Sequence, residues 1–146
     1  LNSTDNQIVA GEAGIFSYQS ILLSETFTFT SKVWKFDVNG TLLEEVTPPV
    51  FTNAISLYPD LDLSDCHLSL FAQNDFSFDN HELILFDHDL LVIDEKEVNG
   101  NSNLYSGKVA SHENQIYISH VHIDNLDFND EVEKLNEVHN LQKFMK

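Results

Sequence analysis

SKVWKFDVNGTLLEEV, residues 31–46, decides how this chain is read. Asn39-Gly40 is the dipeptide that most readily supplies the two positive φ angles of a type I′ hairpin turn. With that turn, Lys35 lies across from Glu44 and Phe36 across from Leu43. One face then carries a charge pair and the other an apolar pair, so the register is self-consistent. Thr47-Pro48-Pro49 ends the hairpin, because proline cannot donate into a ladder.

On the N-terminal side, residues 25–30 alternate Thr with Phe27 and Phe29, the period-two pattern of a half-buried strand. Residues 15–24 fit a strand or a short helix, and the polar residues 1–14 read as a loose lead-in. On the C-terminal side, residues 50–66 look irregular, with a turn at Pro59-Asp60. HLSLFA (67–72) and FSF (76–78) read as short strands. ELILF-DHD-LLVID (82–94) reads as a second hairpin around Asp87–Asp89, its apolar runs indicating strands covered on both faces. Residues 98–103 form a loop, and 104–111 pairs with 115–123.

No internal repeat stands out. From Asp130 the period changes: Val132, Leu135, Val138, Leu141 and Met145 fall at helical spacing. Asp127 or Asn129 can cap that helix, with acids in its first turn and Lys143 and Lys146 at its end. The expected fold is one mainly β domain (α+β) over residues 1–146. It is an antiparallel sheet, sandwich or partly open barrel of about seven to nine strands, with an amphipathic helix over 127–146.

Charge is the strongest compositional signal. The 146 residues carry 24 Asp plus Glu against seven basic residues, all Lys, for a net charge of −17. Without Arg, bidentate recognition of phosphate or guanine has no donor, and a duplex or an anionic membrane repels such a surface. No run of about 18 apolar residues is present to cross a membrane as a helix. The fitting partner is cationic. Eleven of the acids lie between residues 60 and 97, where Lys96 is the one basic residue.

The reading that follows is a non-catalytic acidic protein of inhibitor or toxin-immunity type, occluding a basic partner such as a nuclease or another cationic toxin. Asp60, Asp62, Asp65, Asp75, Asp79, Glu82, Asp87 and Asp89 are its candidate contacts. The alternative is an extracellular β-domain that binds calcium or another divalent ion through acidic loops, for adhesion or carbohydrate contact. Asp60, Asp62, Asp87, Asp89, Asp124 and Asp127 would supply its ligands. Asn2-Ser3-Thr4 and Asn39-Gly40-Thr41 match the glycosylation acceptor pattern, the second also being a turn.

His120, His122 and Asp124 alternate along one strand, the spacing of strand-borne zinc ligands. H-V-H-I-D resembles the His-x-His-x-Asp-His box of the metallo-β-lactamase family over five residues. Position 125 is Asn where that family has a ligating His, so membership is rejected. DLDLSD (60–65) starts like an EF-hand loop but has Asp65 where Gly must turn the chain and Phe71 at the bidentate position. No nucleophile elbow, phosphate loop or dinucleotide fingerprint occurs. Cys66 is alone, so no intrachain disulfide forms. That fits a cytoplasmic location, and a secreted one as well.

Overall fold

The computed structural model describes residues 3–23, 25–26, 28–48, 57–73, 80–99, 104–112, 115–124 and 136–145. The chain is mainly β, as its alternation implies, and its sheets are antiparallel and do not close into a barrel. Eleven strands are described, more than the sequence suggested. The first sheet is a meander of β1 (Ser3–Gly11), β2 (Gly14–Leu23), β3 (Thr28–Phe36) and β4 (Leu42–Val46). The middle sheet repeats that order with β5 (Leu57–Leu63), β6 (Leu68–Gln73), β7 (Asn80–Phe86) and β8 (Val92–Asn99). The third holds β9 (Leu104–His112), β10 (Gln115–Asp124) and β11 (Asn136–Met145).

These sheets stack in three layers. Phe16, Tyr18 and Val33 of the first sheet pack on Leu68, Leu70, Ala72, Ile84 and Phe86 of the middle one. From the other face of the middle sheet, Phe71, Leu83 and Leu85 pack on Val109, Ile116 and Ile118 of the third. The apolar runs of β6 and β7 therefore have a simple cause: alternate side chains feed two different cores. The sheets also come together at their first strands, β1 beside β5 and β5 beside β9.

The stack contains a repeat that residue identity conceals. Ile15, Leu68 and Ile116 each lie opposite a phenylalanine on the third strand of their own sheet: Phe36, Phe86 and Phe144. Hairpins β3–β4 and β7–β8 share one turn. The carboxylate Oδ1 of Asp37 accepts the N–H groups of Asn39 (2.8 Å) and Thr41 (2.9 Å). Asp87 Oδ1 does the same for Asp89 and Leu91, both at 2.9 Å. Each turn closes with one residue at positive φ, Gly40 (82°) and Leu90 (62°). Each is followed by a register shift next to its phenylalanine, so Phe36 pairs Leu42 and Phe86 pairs Val92.

This corrects the type I′ reading of Asn39-Gly40. Asn39 does not take positive φ, because the Asp37 carboxylate holds a three-residue turn with an extra residue, Leu43, bulged out of the ladder. Lys35 still pairs Glu44. The second hairpin keeps its expected position, but only β7 is covered on both faces. Leu91, Val92 and Ile93 are exposed because β8 is the sheet edge.

Two stretches expected to lack regular structure are strands. Residues 3–11, read as a loose lead-in, form β1. It pairs β2 across the two-residue turn Glu12-Ala13, where Gly14 at φ 130° sits too close to the Phe36 carbonyl for any side chain. Residues 57–63, within the stretch read as irregular, form β5, and a register shift between Leu57 and Asp60 accommodates Pro59.

The strand expected at 76–78 lies outside the described residues, as do 127–135, the first half of the expected helix. Over its second half the chain is strand β11, paired along β10 from Asp124↔Asn136 to Gln115↔Met145. Gln142-Lys143-Phe144 there repeats the register of Trp34-Lys35-Phe36.

Candidate interaction surface

The carboxylates proposed as partner contacts divide by what the fold does with them. Asp60 is buried on β5, where its Oδ1 meets Lys108 Nζ at 2.9 Å and its Oδ2 accepts the Val109 N–H at 2.8 Å. It ties the middle sheet to the third and is spent on that bond pair. Asp87 organises the β7–β8 turn. Glu82 is buried on β7. Asp62 is half-buried on β5, with one carboxylate oxygen that meets no donor among the described residues. Asp65 and Asp89 are exposed, and Asp89 bonds Lys35 Nζ at 2.9 Å across the two hairpin turns. Asp75 and Asp79 lie outside the described residues. The six that are described are not all exposed together: Asp60 and Glu82 are internal, and the turn uses Asp87.

The exposed charge has a different address. Outermost in their sheets, β4 and β8 carry the same pattern, apolar residues followed by acids. On β4 these are Leu42, Leu43, Glu44 and Glu45, all exposed. On β8 and the residue before it they are Leu91, Val92, Ile93, Asp94, Glu95 and Glu97, all exposed. The sequence signal was present in LLEEV and LVIDEKEV, but the apolar half of each made it look like core.

Lysines neutralise only part of this edge, Lys96 standing within β8 between Glu95 and Glu97. Lys32 bonds Glu45, whose second oxygen accepts the Trp34 indole N–H at 2.6 Å. Those bonds, the Lys32 one foremost, hold the Glu45 carboxyl below its ordinary value. Lys35 and Lys108 are held by Asp89 and Asp60. Trp34 lies half-buried on the outer face of the first sheet, outside the core.

A second polar cluster sits at the β5–β6 turn. Ser64 Oγ accepts the N–H groups of Cys66 and His67 and lies 2.9 Å from His67 Nδ1. The other ring nitrogen of His67 lies 3.2 Å from Ser111 Oγ. The Ser64 carbonyl accepts from His88 Nε2 at 3.0 Å. His88 is thus half-buried and links two turns. These groups clamp the turn and link the middle and third sheets. Ser64 Oγ, already shared among backbone and imidazole partners, is a clamp and not a free nucleophile.

Among the described residues no group of three or more His, Cys, Asp and Glu is arranged to hold a metal. His120, His122 and Asp124 do lie on β10 at alternate positions, opposite Asn140, Val138 and Asn136. Their side chains lie outside the described part, as does Asp127. No helix among the described residues is long and apolar enough to cross a membrane. A scan of protein-family models and a search of curated proteins found no match to this chain.

Proposed function

We propose that this protein is a non-catalytic binding module whose outermost strand β8 receives a basic segment of a partner protein. The observation that carries the proposal is the run of exposed apolar and acidic residues from Leu91 to Glu97 on a sheet edge. An edge strand offers unpaired N–H and C=O groups to an added strand. Leu91, Val92 and Ile93 give that strand apolar contact, and Asp94, Glu95 and Glu97 select Lys or Arg on it. The excess negative charge speeds encounter with such a partner. This refines the inhibitor or immunity reading by moving the contacts from Asp60, Glu82 and Asp87 to the edge. A basic nuclease or toxin with an extended cationic segment fits it.

The test uses a synthetic peptide that alternates Lys with Val, titrated into the protein by calorimetry. Binding should weaken several-fold on raising salt and be lost in the triple variant Asp94→Asn, Glu95→Gln, Glu97→Gln. A peptide with Glu in place of Lys should not bind. Lys-peptide affinity that ignores both salt and the triple variant sinks the proposal.

A further inference from the structure

Register equivalence assigns each sheet a back face and a front face. Leu68 and Phe86 place the back of the middle sheet on the front of the first, and Ile116 places the back of the third on the front of the middle. The corresponding residues of the first sheet are Ile15 and Phe36, joined on that face by Trp34. Leu68, Phe86 and Ile116 are fully buried, whereas Ile15, Trp34 and Phe36 are only half-buried. The first sheet therefore has a back face of the covered type with nothing described against it.

What covers such a face in this molecule is in both cases the front of a preceding meander. Within the described chain one front remains unused, that of the third sheet. Tyr117 and Ser119 occupy there the register positions that Phe16 and Tyr18 occupy on the first sheet. Phe16 is buried in the interface; Tyr117 is half-buried and Ser119 exposed. One unused back and one unused front on a single chain define a heterologous, head-to-tail contact. The sheets approach at their first strands, so the stack fans about an axis on the side of β1, β5 and β9. That is how the four-stranded blades of a propeller are disposed, typically four to eight to a ring.

We propose that the back face of the first sheet is covered by the third sheet of a second copy of this chain, and that two copies close reciprocally into a ring of six stacked sheets. On the back face itself Glu45 sits beside Trp34 with its charge paired by Lys32, and the exposed carboxylates of β8 lie at the outer end of their own sheet.

The test is the mass of the full chain by size exclusion with light scattering across a concentration series, with emission of the single Trp34 followed in the same samples. The expected result is twice the chain mass, with Trp34 emission shifting to longer wavelength on dilution. Ile15→Lys and Tyr117→Lys each remove a different half of the contact, so each alone should raise the dissociation constant about tenfold or more. A mixture of the two retains one intact contact and should regain a one-to-one pair. Circular dichroism checks that each variant is folded; if either is not, the wild-type mass and Trp34 dilution series decide alone. A monomer at every concentration overturns the proposal. So does a Tyr117→Lys protein that stays dimeric while Ile15→Lys does not, which would mean back-to-back pairing, and so does open-ended polymer.

Discussion

Hairpins β3–β4 and β7–β8 use the same turn in different surroundings. In both, an aspartate after a phenylalanine gathers two backbone N–H groups and the turn closes in left-handed backbone. In the first, Gly40 takes that backbone in open space. In the second, Leu90 takes it with a side chain that is buried in the core. Glycine is thus not what defines the turn. The aspartate sets the geometry, and the cost of positive φ is avoided in one hairpin and offset by burial in the other. Phe36 and Phe86 differ in the same way, half-buried at the end of the stack against fully buried inside it.

The sharpest way to break this comparison is at the phenylalanines. Phe86→Ala should cost about 3–5 kcal/mol in urea unfolding, the range for emptying a packed aromatic site. Phe36→Ala should cost about 1–2 kcal/mol, since less of its surface leaves water. Equal losses would mean that the end of the stack is covered as well as its interior.

At the turn positions, Leu90→Ala should lose about 2–4 kcal/mol through the vacated core, and Gly40→Ala about 1–2 kcal/mol through backbone strain alone. If Leu90→Ala were neutral, burial would not be what holds Leu90 at positive φ.

The smallest effect is in acid. The Thr41 N–H, and after it the Asn39 N–H, hold the Asp37 carboxyl below its ordinary value. A folded value lower than the unfolded one stabilises fully above the ordinary aspartate range and loses that contribution as pH falls through the lowered value. Asp37→Asn keeps an acceptor without a titrating proton, so its unfolding curve should lack that part of the acid limb. An acid limb unchanged from the wild type would show that Asp37 is not held in this way.

Much of the architecture was legible because period-two alternation and turn residues report local structure directly. Lys35 across from Glu44 was read from Asn39-Gly40, but the three-residue turn and the bulge at Leu43 that together restore that pairing were unforeseen. The repeat was not legible, since Trp34 and Ile84, or Tyr18 and Phe71, share a register position without sharing identity. Strand β1 was missed because, with Ile8 exposed, its polar residues are held mainly by pairing to β2. For the candidate surface the difficulty was one of meaning. Asp60 and Asp94 look alike in sequence, but one is buried against Lys108 and the other faces water. Likewise LVI at 91–93 has core composition, and only its place at the sheet edge makes it a surface.

All of this rests on β6 and β7 being the interior of a three-layered stack while β8 stands open at its edge. Residue-resolved amide hydrogen exchange tests that claim most directly. The account predicts the slowest exchange at Leu70, Phe71, Leu83 and Ile84, with the outward N–H groups of β8 between Val92 and Glu97 exchanging orders of magnitude faster. Protection along every residue of β8 equal to that of β7 would contradict it.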